Sequence, residues 1–135
     1  MGLIVTDASA IVDLLAADDS SRRRAIRERL IGGDAAFAPA YLDIEVISAL
    51  RGLARRNDVL GADASALIMA LLRMPIRREP LTRVTADRVW QLRENMTPYD
   101  AGYAALAEQL DAPLLTCDRK YTTVPGLRCT VELLS

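Results

Sequence analysis

Short apolar runs alternate along this chain with stretches in which apolar residues return every three or four positions. Strand candidates are Leu3 to Thr6, Ala35 to Ala38, roughly Ile76 to Glu79, Leu114 to Cys117 and Leu127 to Val131. Between them, Ala10, Ile11, Leu14 and Leu15 make one face of a first helix. Ser20 or Ser21 is placed to cap a second, arginine-rich helix that reaches Leu30 and ends at Gly32-Gly33. Leu42, Val46, Ala49, Leu50 and Leu53 share one stripe between about Tyr41 and Arg56. The segment from about Ala62 to Leu72 is apolar nearly all round, which implies deep burial or a surface for a partner, and Pro75 stops it. A further helix is expected near Val84 to Arg93. Thr97-Pro98-Tyr99-Asp100 has the form of a cap, a proline at the first helical position and an acid at the third, opening a helix whose stripe is Tyr103, Leu106, Ala107 and Leu110. Strands and helices alternating through short turns predict an α/β sandwich around a mostly parallel sheet. With 135 residues, no repeat and no linker, one domain spanning 1–135 is expected.

The first and fourth runs each stop on an aspartate, Asp7 and Asp118, where a buried strand emerges into solvent. That edge is where open parallel sheets build their sites, and neighbouring strands would aim both carboxylates into one crevice. Asp7 can equally be a helix cap, and the two roles stay open. Glu45 sits on the flank of its helix, beside the buried stripe, with no basic partner one turn on. Asp43 competes with it, but lies in the first turn, where the helix dipole favours an acid whether or not it binds anything. Glu45 is therefore the candidate ligand and Asp43 the structural acid. Asp100 both caps and faces inward. Asp118 is followed by Arg119 and Lys120, which on the plainer reading neutralise it in a turn. Asp13, Asp18, Asp19, Asp58 and Asp63 are assigned to solvent. Four acids in one pocket raise one another's pKa values and destabilise the fold unless a cation relieves them. Oxygen-only ligation favours Mg²⁺ or Mn²⁺ over zinc, and such ions support phosphodiester hydrolysis.

Composition narrows the chemistry further. The chain has no histidine, which removes the common general base, the histidine-dependent nucleophile systems and most zinc sites. Its formal net charge of -1 conceals sixteen arginines and a single lysine, Lys120. Arg22, Arg23, Arg24, Arg27, Arg51, Arg55, Arg56, Arg119 and Lys120 are candidates for contact with a nucleic-acid backbone, while the few aromatics argue against an extended base-stacking platform. Cys117 and Cys129 form no CxxC pair and are expected to be reduced core residues. No apolar run approaches the ~18 residues that a membrane span needs, and no leader pattern opens the chain. A soluble, cytoplasmic protein is expected.

At these residues the chain resembles the PIN-domain family, and in size the VapC toxins of bacterial toxin–antitoxin pairs. The resemblance rests on Asp7-Ala8-Ser9-Ala10, Glu45 with Leu50-Arg51, Tyr99-Asp100-Ala101-Gly102-Tyr103 with Ala105-Leu106-Ala107, and Leu114-Leu115-Thr116-Cys117-Asp118-Arg119. It implies a three-layer α/β/α sandwich with a five-stranded, mainly parallel sheet in the order 3-2-1-4-5. It makes Asp7, Glu45, Asp100 and Asp118 the acidic quartet that holds Mg²⁺, or Mn²⁺ in its place, for endoribonuclease cleavage by metal-activated water. Ser9 and Thr116 take neighbouring positions that support the acids, with Arg51, Arg119 and Lys120 as RNA-binding candidates. It further implies a homodimer and a cognate VapB-like antitoxin whose C-terminal segment covers the active site. Ser48 stands where many relatives carry asparagine. The alternative is a catalytically silent PIN-like scaffold that binds RNA or a partner. A phospho-receiver domain wants paired acids after the first strand and a lysine at a late strand end. A haloacid-dehalogenase-like phosphatase wants a DxD motif, and Asp7-Ala8-Ser9 lacks the second aspartate.

Overall fold

The computed structural model describes residues 2–17, 20–56 and 58–134. Five strands, β1 (Leu3–Thr6), β2 (Ala35–Pro39), β3 (Ile76–Glu79), β4 (Leu114–Thr116) and β5 (Val131–Leu133), form one sheet in the order β3-β2-β1-β4-β5, with every neighbouring pair parallel. The helices are α1 (Ala8–Ala16), α2 (Ser20–Leu30), α3 (Leu42–Ala54), α4 (Asp58–Arg73), α5 (Arg83–Gln91) and α6 (Pro98–Leu110), with a 3-10 turn at Arg119–Thr122. From β1 through β2 to β3 the chain moves outward in one direction, then crosses back from β3 to β4. Right-handed crossovers therefore place α1 to α4 on one face and α5 and α6 on the other. The packing agrees: α1 contacts α2, α3 and α4, whereas α5 pairs with α6 and α6 lies on β1, β2 and β4.

Strand β1 is central. Ile4, Val5 and Thr6 are fully buried because helices cover both faces, as near-continuous apolar strands of parallel sheets require. Its register against β4, Val5 with Leu114 and Thr6 with Leu115, brings the chain ends after both strands side by side. Helix α6 crosses them with seven consecutive buried residues, Ala101 to Ala107, most of them small enough to lie close on the sheet. Gly102 is one whose lack of a Cβ is required, since any Cβ there would overlap the Tyr41 hydroxyl.

Two expectations need correction. The last strand begins at Val131, not Leu127. Gly126 turns the chain with φ 83, and the Arg128 amide is taken by the Glu108 carboxylate at 2.8 Å, so the ladder starts only beyond them. Asp13 is not a solvent acid: it receives the Arg22 guanidinium from α2 at 2.7 Å. Asp63 is exposed as expected, while Asp18, Asp19 and the side chain of Asp58 lie outside the described residues. On α4, Leu71 is buried but Met69 and Leu72 are exposed, which favours a partner surface over deep burial. Cys117 and Cys129 are free and half-buried. Burial, followed by the nearby Asp13, pushes the Cys117 thiol up to about 12, so it is inert at neutral pH. No helix among the described residues is long and apolar enough to cross a membrane.

Candidate active site

Asp7 ends β1 and caps α1, so the cap and the cleft residue are one side chain. Its Oδ1 accepts the Ala10 amide at 3.1 Å and the Ser9 hydroxyl at 2.7 Å, and its Oδ2 accepts the Thr116 hydroxyl at 2.6 Å. Only 4 % of the residue is exposed. Burial pushes its pKa up to about 6, with the charge of Asp118 adding to the rise; the three donors pull it back only in part. Ser9 and Thr116 also fasten the two strand ends together. The Ser9 hydroxyl accepts the Cys117 amide at 3.0 Å, and the Thr116 hydroxyl accepts the Asp118 amide at 2.9 Å.

Glu45 enters the same space from the first turn of α3, between the buried Leu42 and Val46. Asp43 turns elsewhere, to a two-pronged pair with Arg78 at 3.0 and 3.2 Å. That guanidinium also donates to the carbonyls of Leu71, Met74 and Ile76, so Asp43 belongs to the α4–β3 connection. Asp100 follows the cap at Thr97, whose hydroxyl accepts the Asp100 amide at 3.3 Å and donates to its carboxylate at 3.1 Å. Asp118 precedes the 3-10 turn and accepts the Lys120 amide at 3.0 Å. Asp7, Glu45, Asp100 and Asp118 thus come from four separate segments to line one cavity of about 210 Å³.

Lys120 lines this cavity too. Its ammonium lies 2.8 Å from Asp100 and 3.0 Å from Asp118. Burial works against the charge on Asp118, but the amide and ammonium of Lys120 outweigh it and hold the carboxyl below its usual range. Among the described residues no three acids are already drawn together as a ready chelate. The ammonium does the neutralising that a hard cation would do, and the side chains able to hold such a cation are these four acids, all oxygen donors. Arg51 and Arg119 are exposed and lie outside the cavity lining. Arg22 pairs with Asp13 and Arg23 donates to the Leu14 carbonyl, so both serve the α1–α2 packing.

Residues 4–127 match the family profile described as PIN domain. This chain belongs to the PIN-domain family. It is 37 % identical over 133 residues to Ribonuclease VapC12 of Mycobacterium tuberculosis, covering 98 % of this chain and 100 % of that one. Among solved structures it resembles VapBC2 from Rickettsia felis bound to a DNA fragment from their promoter, with TM-score 0.69 and 11 % identity over 98 % of this chain and 99 % of that one. It also resembles a toxin–antitoxin complex from Klebsiella pneumoniae, with TM-score 0.63 and 18 % identity over 98 % of each chain.

The PIN domain's acidic cavity has a feature that a count of aromatics does not reveal. Two of the chain's four tyrosines line it, and the other two pack on one of them or on its neighbour. Tyr103 and Tyr121 line it. Tyr41 meets both Tyr103 and Tyr99 edge to face, at 5.4 and 5.7 Å, and donates to the Tyr99 carbonyl at 2.6 Å. The signal is in the sequence as spacing: Tyr41 precedes Glu45 by one helical turn, and Tyr103 and Tyr121 follow Asp100 and Asp118 by three residues.

The hydroxyl clamp makes a direct prediction. Thr116→Val keeps the shape but strips a donor from Asp7 and the acceptor from the Asp118 amide. Unfolding in denaturant is expected to show a loss of roughly 1–3 kcal/mol. With one stabilising donor gone, the Asp7 pKa moves further up, and the fall in metal-free stability across the acid range extends to higher pH than in the parent protein.

Proposed function

We propose that this PIN domain is a Mg²⁺-dependent endoribonuclease toxin, with Mn²⁺ as a working substitute, and that Asp7, Glu45, Asp100 and Asp118 hold the ion. The observation carrying this reading is the convergence of those four acids at the C-terminal edge of β1 and β4, in a chain related over nearly its whole length to a protein named a ribonuclease. A bound divalent ion lowers the pKa of water and stabilises charge on a phosphoryl group, which is why no histidine is needed. The chain's own part is placement. Ser9, Thr116 and the Ala10 amide fix both oxygens of Asp7; Thr97 sets Asp100 at the start of α6; the Thr116 hydroxyl holds the backbone of Asp118. Lys120 keeps a positive charge beside the acids, where a phosphate must approach, and the exposed Arg51 and Arg119 are candidates to hold the flanking backbone.

Two apolar surfaces support the partner reading. A recess of about 390 Å³ lined by Leu14, Leu15, Leu30, Leu67 and Met74, with Arg23 and Arg27 beside them, suits an amphipathic antitoxin segment carrying acidic residues. The exposed Met69 and Leu72 of α4 supply apolar surface for a homodimer. The expected place of action is the cytoplasm, where RNA and a VapB-like antitoxin are both at hand.

The test is to incubate purified protein, freed of any antitoxin, with total RNA and Mg²⁺ or Mn²⁺. Cleavage at discrete sites, lost with EDTA and in Asp7→Asn, is the expected result. One observation favours the silent scaffold instead: the Lys120 ammonium already neutralises Asp100 and Asp118. Calorimetric titration with Mn²⁺ separates the two, since a scaffold whose acids are satisfied by lysine takes up no metal.

A further inference from the structure

Among the described residues, the Tyr103 hydroxyl is a buried side-chain polar atom without a hydrogen-bond partner. Tyr103 is 1 % exposed, its ring is packed edge to face on Tyr41, and the residue lines the acidic cavity. A phenylalanine would make the same ring contacts without burying an unmatched donor, which is costly to leave unmade. Packing therefore explains the ring and leaves the oxygen unexplained.

Resting on the metal-dependent reading above, we propose that Tyr103 is the positioning residue for Glu45, its hydroxyl donating to that carboxylate once the carboxylate closes on a cation. Three observations converge on this pairing. Glu45 and Tyr103 line the same cavity from α3 and α6, and among the described residues no hydrogen bond reaches the Glu45 carboxylate, whereas Asp7, Asp100 and Asp118 each have donors of their own. The buried hydroxyl is left without a partner beside the cavity that Glu45 also lines, as expected of a contact that completes only on loading. A carboxylate ligand without an outer partner swings freely between binding and non-binding rotamers, and such partners are worth about 10–100-fold in metal affinity.

The experiment compares Tyr103→Phe with the parent protein in three readouts: Mn²⁺ affinity by calorimetry, melting temperature in EDTA, and RNA cleavage. Mn²⁺ binding is expected to weaken roughly tenfold. The metal-free melting temperature is expected to rise by roughly 2–5 °C, because an unsatisfied buried hydroxyl has gone. A purely structural tyrosine gives the opposite pattern, lower stability with unchanged affinity. Adding Tyr103→Phe to Glu45→Gln is expected to weaken Mn²⁺ binding no further, since the hydroxyl acts through that carboxylate. Equal affinities for parent and Tyr103→Phe overturn the inference and leave the nuclease reading standing. A parent protein that binds no Mn²⁺ and cleaves no RNA overturns both.

Discussion

Asp7→Asn is expected to make the metal-free protein more stable at pH 7 while abolishing cleavage. The two effects share one cause. The Asp7 carboxyl is 4 % exposed and its pKa is pushed up to about 6 from 3.8, mainly by burial. Its folded-state pKa is therefore raised above that of the unfolded chain, so between pH 4 and 6 the folded state holds more protons. Stability from this group is full below pH 4 and falls as pH rises, levelling off above pH 6, for a total of about 3 kcal/mol. Asp34 and Asp118 have lowered pKa values, so their stabilising contributions are lost only below pH 4, outside this window. Asparagine removes the buried charge and keeps one oxygen for the Ala10 amide, but it cannot accept from both Ser9 and Thr116. The net gain at pH 7 is thus smaller, about 1–2 kcal/mol, or several degrees in melting temperature for a chain of this size. Melting in EDTA from pH 4 to 8 reads the result directly: the parent curve falls toward neutrality and the variant curve is flatter. Cleavage falls by roughly a hundredfold or more, because the variant loses the charged carboxylate that three donors fix in place. A variant that is no more stable than the parent at pH 7 would show that Asp7 titrates normally, and would remove the physical argument for a cation at this position.

What the sequence makes legible here is what is local. The strand ending in Asp7, the strand running up to Asp118 and the cap at Thr97 each depend on fewer than eight consecutive residues, and each lies where periodicity puts it. The choice between Asp43 and Glu45 is also local, since two residues of helix separate a side chain facing Arg78 from one facing the cavity. Contacts between segments are not legible. Asp13 lies off the face made by Ala10, Ile11 and Leu14, and helical geometry alone sends it to water. The arginine that meets it arrives on α2, nine residues later, and α1 packs on α2 as well as on the sheet. Lys120 beside Asp118 reads as a turn residue, and only the fold brings Asp100 within reach of its ammonium. The run Leu127 to Val131 has the composition of a strand, but a side chain from α6 claims its backbone first. The few aromatics read as scattered, and the meeting of Tyr41 with Tyr103 depends on α6 lying across β1 and β2.

That claim on the backbone sets up a large stability effect. Glu108→Ala is expected to cost roughly 2–3 kcal/mol, although Glu108 lies outside the acidic cavity. Its carboxylate takes Arg88 of α5 in two prongs, at 2.6 and 3.2 Å, and the Arg128 amide at 2.8 Å, while Arg88 also donates to the Gly126 carbonyl at 2.6 Å. One part-buried ion pair, with side chains 14 % and 10 % exposed, therefore ties α5, α6 and the approach to β5 together. Removing the carboxylate leaves a largely enclosed guanidinium without its counter-charge and an amide without its acceptor. Both penalties fall on the folded state, since water satisfies these groups in the unfolded chain. Strand β5 is three residues long and lies at the sheet edge, held by β4 on one side only, so it should open first. Hydrogen exchange at Val131–Leu133 is expected to quicken more than at β1, with denaturant unfolding giving the global cost. Arg88→Leu combined with Glu108→Leu should recover most of the loss, because an apolar pair of similar volume buries no charge. What remains is the share of the Arg128 amide. If the single variant unfolds like the parent, the pair is a surface contact, and the late start of β5 needs another cause.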